Sequence, residues 1–579
     1  MKKLAGIVSF VLLHAVALAQ QATLTQTIKG NVLDEQSGNS IALVTVSLEG
    51  TNLAAITDSS GHFRILRVPV GRQTLRITRV GYEEVTVRMI EVTSSKEVEL
   101  EIRLREQVKK MDEVVLKAGR QKAKAINDAA LVSARQFSVD EAVRYAGTRN
   151  DPSRMAQNFA GVSGSNDARN DIVIRGNSPA GVLWRMEGID IPNPNHYSTL
   201  GSTGGPVTIL NSNTLRNSDF MTSAFPAQYG NALAGVFDLR MRNGNADNYE
   251  FLGQAGFNGF EFGAEGPISR KNKSSFLVNY RYSLIAAVQK LGLDVGTGDA
   301  TPYYQDLNMK INIPTKKAGT FSLFALGGES HITFAANDSD NLYATNDGSL
   351  RDRNFKSLTG VVGLTHQYFF NGTTSGRFNI ALSGFDSKYD EVFTGGTRNG
   401  EQAFYKKNTQ VKLSAAYTVN KKFSAKSQLT TGIVADRSRL KLRQDYIPNG
   451  SSELTTLFSS ASNVTLLRGF GNYAYRFTDK LSTNLGLYYQ HFSLNNASSL
   501  EPRWNIRYQF KPNQSLSFGT GLHSQTQPLE VYFYETKQPG GTIALTNKEL
   551  DFVKSFHNVL GYDISFSRNL RLKAEVYGQ

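Results

Sequence analysis

The eight histidines are the residues from which a metal or hydrolytic site would most readily be built, and their spacing indicates neither. None is followed by glutamate three positions later, and His-Glu-x-x-His does not occur, so the ligand spacing of a zinc peptidase is absent. The sequence also lacks cysteine, Gly-x-Ser-x-Gly and the Gly-Lys dipeptide of a phosphate-binding loop. We therefore predict that the protein is not an enzyme, and we expect no catalytic residue, metal or cofactor.

The charge balance of the chain is basic. Its 579 residues include 64 Lys and Arg against 50 Asp and Glu, which gives a formal net charge of +14. Such a balance suits either nucleic acid or an anionic membrane surface, and composition does not choose between them. Apolar residues make up 40% of the chain, which is enough for a packed core and excludes a disordered protein.

The N-terminal residues have the pattern of a secretory signal peptide. Lys2 and Lys3 precede an apolar run from Leu4 to Leu18, and Ala17-Leu18-Ala19 supplies the small residues of a cleavage site. The alternative is a membrane anchor, but the run is shorter than the ~20 residues that a spanning helix needs. We expect residues 1–19 to be removed and the mature chain to be exported, which argues against a nucleic-acid partner.

Residues 20–105 are predicted to form a small β-sandwich. Apolar and polar residues alternate in Val44–Leu48 and Val98–Leu104, and this period of two buries one face of a strand. The segment resembles the carboxypeptidase-regulatory-like domain in the order of its motifs, which are Ile28-Lys29-Gly30-Asn31-Val32, Gly50-Thr51, Thr57-Asp58, Gly61, Phe63, Pro69, Gly71 and Gly81-Tyr82. Because the peptidase spacing is absent, we interpret the domain as a periplasmic spacer or interaction module.

Residues 106–124 are predicted to form a linker that contains a short apolar island. Charged residues from Arg105 to Lys110 precede it, and a polar tract from Lys117 to Lys124 follows it. The island, Met111–Leu116, can add as an extra strand to the sheet edge of a partner. The alternative is that it forms the last strand of the sandwich.

Residues 125–243 are predicted to form a compact domain of short elements. Ser138–Glu141 has capping-box spacing, and Asp151-Pro152 begins a second short helix with aspartate as its N-cap. Three further motifs follow, which are the strand and turn Asp171–Gly176, the turn-rich loop Glu187–His196, and Phe225–Gly235 leading into a strand from Val236 to Met241. In this order, the motifs resemble the plug domain of TonB-dependent outer-membrane receptors.

This resemblance implies roles for particular residues. It implies that the TonB box, which contacts TonB, corresponds to Asp112, Glu113, Val114, Val115 and Leu116. It implies structural roles in the plug for Arg175, Gly176, Gly188, Tyr229 and Gly230. Arg175 would lie inside a barrel, where a buried arginine needs carboxylates or carbonyls around it. The candidates for a substrate-facing plug apex are Asn193, Asn195 and His196, and the alternative for them is a hydrogen-bonded loop.

Residues 244–579 show sustained alternation of apolar and polar residues. Examples are Phe276–Ser283, Leu307–Ile313, Val411–Val419 and Trp504–Phe510. Strands of ~10 residues with one apolar and one polar face are typical of an outer-membrane β-barrel, whose two faces meet lipid and a wet lumen. Short turns alternate with mostly longer polar loops, which favours such a barrel over a large soluble β protein. Aromatic pairs near strand ends, such as Tyr303-Tyr304 and Tyr488-Tyr489, are typical of interfacial girdles.

The pattern predicts about fifteen barrel strands, of which the last begins at Leu570. Bacterial barrels have an even number of strands, and plugged transporters have ~22. We therefore expect a mainly β chain with a signal peptide, a small β-sandwich, an α+β plug and an incomplete antiparallel transmembrane β-barrel. The expectation is that the chain is truncated at its C-terminal end and lacks about seven strands.

The resemblance implies a receptor in the outer membrane, with its N-terminal domain and linker in the periplasm. It implies active uptake of a scarce or bulky solute, bound between extracellular loops and plug, with a gate that opens when TonB pulls on the plug. The implied partners are TonB with its inner-membrane energising complex and outer-membrane lipid, and a surface lipoprotein is a further candidate. Related receptors import iron chelates, cobalamin, glycans or peptides. The alternative is a surface receptor or adhesin that signals without transport.

Overall fold

The computed structural model describes residues 24–108, 125–137, 145, 147–164, 167–256, 259–284, 302–336, 350–394, 398–448, 451–567 and 570–579. The chain divides into two compact units, residues 1–122 and residues 123–579. No helix among the described residues is long and apolar enough to cross a membrane. The predicted signal peptide (1–19) and the TonB-box-like residues 112–116 lie outside the described residues.

The first unit contains two facing β-sheets. Its strands are β1 (Thr25–Asp34), β2 (Thr45–Leu48), β3 (Ala54–Ile56), β4 (His62–Pro69), β5 (Gly71–Thr78), β6 (Val85–Val92) and β7 (Val98–Leu104). One sheet has the order β4-β1-β7, and the other has the order β3-β2-β5-β6. Alternate residues of both sheets, such as Val46 and Ile102, form one buried apolar core. The predicted sandwich is therefore confirmed.

A tight turn connects β3 to β4 in this sandwich. One carboxylate oxygen of Asp58 accepts the backbone N–H groups of Ser60 at 2.8 Å and His62 at 2.9 Å. Gly61 has φ +75°, a conformation that favours glycine. The turn brings Phe63 into the core, where its side chain is buried. The sequence motif thus reflects local turn chemistry, as expected of Asp and Gly in such turns.

The second unit, residues 123–579, begins with a group of short elements, which we call the plug. Its elements are β8 (Ala134–Phe137), helix α1 (Pro152–Ala156), β9 (Val162–Gly164), β10 (Ile172–Ile174), a 3-10 turn (Pro179–Gly181), β11 (Val182–Met186), β12 (Ile189–Asp190), β13 (Asn195–His196), β14 (Val207–Thr208), β15 (Leu215–Met221) and β16 (Gly235–Met241). Five strands form one sheet in the order β12-β11-β16-β15-β8. Asp151 caps α1 by accepting backbone N–H groups, which confirms the predicted short helix, whereas Ser138–Glu141 lies outside the described residues.

All but two of the remaining strands form one antiparallel sheet, the barrel sheet. Its first thirteen strands are β17 (Glu250–Gly256), β18 (Gly259–Ser269), β19 (Ser274–Tyr282), β20 (Tyr303–Pro314), β21 (Thr320–Phe334), β22 (Arg351–Asn371), β23 (Thr374–Phe393), β24 (Gln402–Lys422), β25 (Ser427–Tyr446), β26 (Thr455–Arg476), β27 (Leu481–Phe492), β28 (Ala497–Lys511) and β29 (Gln514–Gln525). The next loop contains helix α2 (Leu529–Tyr532) and the hairpin β30 (Glu535–Lys537) and β31 (Ile543–Leu545), and the last strands are β32 (Val553–Ser565) and β33 (Arg571–Gly578). The sheet has 15 strands in chain order, without β30 and β31, which confirms the predicted strand count.

The two faces of the barrel sheet differ in polarity. Along β24 and β25, alternate residues such as Leu413 and Ile433 are exposed, at 48% and 68%. Ser414, which follows Leu413, and its cross-strand partner Asp436 are buried on the opposite face. The outward face is therefore an apolar belt, and the inward face is polar, as an outer-membrane barrel requires.

The predicted aromatic girdle is corrected in part. Tyr489 is 45% exposed on the outward face, but Tyr488 is 2% exposed. Tyr304 is also buried, at 6%. Because consecutive strand residues point to opposite faces, only one member of such a pair can face outward. Tyr304 and Tyr488 face inward, toward the plug.

Candidate functional site

The plug packs against the inward face of the barrel sheet. Trp184 and Phe237 of the plug share one buried apolar cluster with Phe324 and Val361 of the sheet. Buried charged and polar side chains lie beside this cluster and join the same two parts. This interface is the candidate functional site, because it gathers buried charged side chains from both parts of the second unit.

Arg175 lies in a turn after β10 and forms one of the charged contacts. Arg175 and Gly176 both have positive φ, +52° and +80°. The Arg175 side chain is only 2% exposed and forms an ion pair with Glu575 of β33. It also donates to the Ser133 hydroxyl at 3.1 Å, and its guanidinium carbon lies 4.3 Å from the ring centre of Tyr577. The arginine thus has the carboxylate partner that burial of a cation demands.

Glu187 and Gly188 form the turn between β11 and β12, and the glutamate points into the sheet. Both residues have positive φ, +51° and +88°, as a two-residue hairpin connection favours. The buried Glu187 carboxylate accepts Lys310 Nζ at 3.0 Å and Arg377 Nη2 at 2.8 Å. Burial alone would raise the pKa of Glu187, but Lys310 and Arg377 lower it below its usual value. A Cβ on Gly188 would lie 3.0 Å from the Asn379 amide nitrogen, so this turn touches the sheet closely.

Asp190 continues the same hairpin into a second ionic contact. Its carboxylate pairs with Arg468 of β26, and Arg468 pairs in turn with Asp436 of β25. Lys412 Nζ donates to the Asp190 backbone carbonyl at 2.8 Å. The two carboxylates of the hairpin therefore pair with three cations of the sheet, which are Lys310, Arg377 and Arg468.

Tyr229 and Gly230 lie in a turn of the plug that residues of β27 and β28 contact. Arg503 of β28 donates to the Tyr229 carbonyl at 2.6 Å and to Glu501 at 2.6 Å. The fully buried Tyr229 hydroxyl donates to Asp238 at 2.8 Å. A Cβ on Gly230 would lie 1.8 Å from a ring carbon of Tyr488, so only glycine fits against this ring.

Asn193, Asn195 and His196 are buried rather than exposed at an apex. Asn195 donates to Asn193 Oδ1 at 2.6 Å, and Asn195 Oδ1 accepts from Asn170 at 2.7 Å. His196 has no exposed surface, and its Nε2 lies 3.0 Å from Asp306 of β20. The buried hydrogen bonds of Asn193, Asn195 and His196 Nε2 fit the hydrogen-bonded alternative, whereas His196 Nδ1 is buried without a hydrogen-bond partner among the described residues.

The exposed tip of the plug lies a few residues further along. Thr199 and Gly201 are exposed, in a turn closed by the Ser202 hydroxyl, which donates to the Thr199 carbonyl at 2.8 Å. A Cβ on Gly201 would lie 2.9 Å from Pro528, in the loop that contains α2. Lys406 of β24 pairs with Glu530 of that loop at 3.4 Å. The tip therefore meets the loop side of the barrel.

The N-terminal end of the plug is attached at one carboxylate. Asp219 of β15 accepts the backbone N–H groups of Ile126 at 2.7 Å and Asn127 at 2.8 Å. Asn127 also donates to the Tyr229 hydroxyl at 3.0 Å. Asp219 is fully buried, and burial together with the neighbouring Asp238 raises its pKa to about 6.

A family model and solved structures match different parts of the chain. The CarboxypepD_reg-like domain model matches residues 28–116. The comparison with curated proteins found no match. A crystal structure of the ferric enterobactin receptor PfeA from Pseudomonas aeruginosa matches with 15% identity and a TM-score of 0.55, over 77% of this chain and 70% of that chain.

A second receptor and an outer membrane transporter match to a similar extent. The siderophore receptor PirA from Acinetobacter baumannii has 14% identity and a TM-score of 0.53, over 75% of this chain and 68% of its own. The outer membrane transporter YddB from Escherichia coli has 11% identity and a TM-score of 0.53, over 76% and 68%. The chain has the fold of a TonB-dependent outer-membrane receptor. The residues matched by the CarboxypepD_reg-like domain model precede the plug in the chain.

The sequence did not reveal which residues join the plug to the barrel sheet. Glu187 and Asp190 were visible only as members of a turn-rich loop. Their partner Lys310 was visible only as a polar residue of an alternating strand, and Arg468 was not singled out. A signal was available, since a lysine or arginine on the inward face of a plugged barrel needs a carboxylate nearby. Among the residues that the structure describes, no group of three or more His, Asp or Glu is placed to hold a metal ion.

Proposed function

We propose that this receptor performs TonB-dependent active uptake of a scarce or bulky solute across the outer membrane. The observation that carries the proposal is the plug, whose apolar and charged side chains pack directly against the inward face of the barrel sheet. Such packing leaves a bulky solute no passive route through these contacts. Uptake then needs energy to rearrange the plug, and TonB would supply it mechanically.

The contacts at the interface support a plug that is stable at rest and separable under force. Buried ion pairs add little net stability relative to apolar packing, yet breaking one partner from the other costs ~3–5 kcal/mol. Glu187 and Asp190 form such pairs within one hairpin. A pull that withdraws this hairpin as a unit would break both together, which gives a gate with two discrete arrangements.

The attachment at Asp219 supports a route by which tension reaches the plug. The proposed TonB box, Asp112–Leu116, precedes Ile126 by about ten residues of linker. Asp219 holds the backbone of Ile126 and Asn127. A strand added to TonB shares backbone hydrogen bonds with it and can transmit tension. We infer that the pull arrives at β15 through this carboxylate.

The solute would bind between the plug tip and the extracellular loops. Thr199 and Gly201 are exposed at the tip, and Pro528 lies beside them. At the loop ends of β22 and β23, Arg351 lies 4.8 Å from the ring centre of Phe393 and pairs with Glu391 at 3.3 Å. Cationic and aromatic side chains together suit an anionic or aromatic solute. PfeA is a ferric enterobactin receptor and PirA is a siderophore receptor, so a ferric siderophore is the first probe to test.

The test of the proposal is the substitution Val114→Pro in the receptor in its own membrane. Proline removes a backbone donor and should prevent strand addition to TonB. The matched control is Val114→Ala, which keeps the donor. We expect the proline variant to lose binding of the purified periplasmic domain of TonB, and to lose accumulation of radiolabelled ferric enterobactin if this is the solute. Binding of TonB equal in the two variants would contradict the proposal.

The second candidate function is a surface receptor that signals or adheres without transport. The CarboxypepD_reg-like domain favours it, because an additional N-terminal domain is suited to interaction with another protein. Solute accumulation in cells with and without TonB separates the two functions. A solute that binds the cell surface equally in both cell types and is never accumulated would support the second function.

A further inference from the structure

Two histidines of the barrel sheet lie fully buried against one turn of the plug. His523 of β29 and His557 of β32 have no exposed surface, and their ring centres are 4.2 Å apart. The ring centre of His523 also lies 4.3 Å from that of Phe225, which belongs to the plug turn 223–231. The guanidinium carbon of Arg503 lies 5.2 Å from the Phe225 ring centre. We call His523 and His557 the histidine pair.

His557 contacts the plug turn in a way that requires a neutral ring. Its Nδ1 accepts the backbone N–H of Ala224 at 3.3 Å, and the Ser223 hydroxyl lies 3.2 Å from the same nitrogen. A ring nitrogen that accepts an N–H carries no proton itself, so the proton of the neutral imidazole is on Nε2. A second proton would place an N–H group at Nδ1, directed against the Ala224 N–H. Protonation of His557 therefore opposes this contact.

His523 has no described group that would stabilise a charge on its ring. Neither of its ring nitrogens has a hydrogen-bond partner among the residues that the structure describes. His196, another fully buried histidine at the plug interface, differs because Asp306 lies 3.0 Å from its Nε2. Burying a charge without a partner is far more costly than burying a neutral polar group. Protonation of His523 is therefore also incompatible with the closed contact.

The charges that face the histidine pair oppose protonation as well. Arg503 of β28 faces both rings, and Arg175 of the plug faces His557. The carboxylates that accompany these two arginines are already paired, Glu501 with Arg503 at 2.6 Å and Glu575 with Arg175. A proton on either histidine would therefore add a positive charge to a region in which each carboxylate is matched by an arginine.

The barrel sheet is paired less completely beside His523. The register between β28 and β29 begins with Arg503 opposite Gly521, and the preceding residue, Pro502, has no backbone N–H. The Leu522 carbonyl accepts the Arg503 side chain at 3.3 Å. His523 follows Leu522 and lies beyond the part of β29 that is paired with β28. It can therefore shift without breaking that ladder.

We propose that the histidine pair is a pH-sensitive contact between the barrel sheet and the plug turn, closed when both rings are neutral and released when they bind protons. Once the turn separates, both imidazoles meet water and bind protons below pH ~6.5, the ordinary pKa of histidine. Because the closed contact excludes these protons, its stability is complete above pH ~7 and falls as the pH drops below ~6.5. The inference rests on the plug interface alone and is independent of uptake and of any solute.

Hydrogen exchange of residues 223–231 in the whole chain, purified in detergent, measures opening of the plug turn at pH ~7.5 and pH ~5. Each rate is divided by the intrinsic exchange rate at the same pH. The first variant, His523→Phe, keeps an aromatic ring beside Phe225. The second, His557→Asn, keeps a side-chain acceptor for the Ala224 N–H, and the third combines both changes. The matched control is His331→Gln, because His331 is an exposed histidine of β21. Circular dichroism at the higher pH confirms that each variant retains the strand content of the parent.

We expect opening of the plug turn in the parent to rise up to ~1000-fold between the two pH values, because each histidine that is neutral when closed and free when open contributes ~30-fold. Each single variant should keep ~30-fold of this rise, the double variant should lose it, and the control should keep all of it. The Ile126 and Asn127 amides should become better protected in acid, because protonation of Asp219 stabilises that part of the plug.

A rise of less than about tenfold in the parent would overturn the proposal, because even one histidine should contribute more than this. An equal rise in the double variant would also overturn it, as would loss of the rise in the control. Opening of the Ile126 and Asn127 amides in acid together with the plug turn would overturn it too, because acid would then unfold the plug as a whole.

Discussion

The substitution Glu187→Gln tests whether buried ion pairs hold the plug in the barrel. The change removes the charge that Lys310 and Arg377 contact at 3.0 and 2.8 Å, while a side-chain acceptor for the Met241 N–H remains. Glu187 and Lys310 side chains are 4% and 6% exposed, so the lysine would be left as a buried cation. Removing one partner of a buried pair costs ~3–5 kcal/mol. Even the lower value increases local opening about 100-fold.

Hydrogen exchange in the hairpin of β11 and β12 measures that opening in the whole chain. The matched control is Glu401→Gln, because Glu401 pairs with Arg398 at 2.8 Å with its side chain 55% exposed. An exposed pair contributes ~0–1 kcal/mol, so exchange in the β11 and β12 hairpin should not change in this control. If the two variants show equal exchange in that hairpin, the buried pairs do not hold the plug and the reasoning is refuted.

Three further predictions concern single positions. Gly230→Ala should lower the melting temperature, because the new Cβ would lie 1.8 Å from the Tyr488 ring. The control Gly253→Ala places its Cβ in open space and should leave the melting temperature unchanged. Burial and the neighbouring Asp238 raise the pKa of Asp219 to about 6 in the folded plug. Protonation of Asp219 should therefore stabilise the folded plug below pH ~4, and ~3 kcal/mol of this stabilisation should be lost as the pH rises through 6. Exchange of the Ile126 and Asn127 amides across that range should show this loss, and Asp219→Asn should abolish its pH dependence. Asp34→Ala should destabilise the sandwich by ~1–3 kcal/mol in denaturant unfolding, because Asp34 accepts Ser37 N–H at 2.7 Å and the Tyr82 hydroxyl at 3.2 Å; an unchanged midpoint would contradict it.

Local patterns were sufficient to predict most of the fold. A strand has a side-chain period of two, so runs such as Val411–Val419 revealed which face of β24 is apolar. Asp58 and Gly61 indicated their turn because both act within a few residues of chain. Asp151-Pro152 likewise indicated the start of α1, since an N-cap needs only the next three residues.

The partners at the plug interface could not be predicted in this way. Arg175 meets Glu575, which is 400 residues later in the chain, and no spacing rule connects them. The need of Arg175 for a carboxylate was predictable from burial cost, but its identity depends on the tertiary fold. The plug tip was also missed, because Thr199 and Gly201 have no chemical signature, whereas His196 has one and is buried.

Spin labelling at two adjacent positions of β24 tests the central claim that the barrel sheet separates lipid from a plug-filled interior. The chain has no cysteine, so Leu413→Cys and Ser414→Cys each place one label. In native outer membranes, a label at 413 should relax with oxygen and not with a water-soluble nickel complex, and a label at 414 should be protected from both. A label at exposed Ser451 provides the aqueous reference. Nickel relaxation at 413 as strong as at 451 would contradict the account.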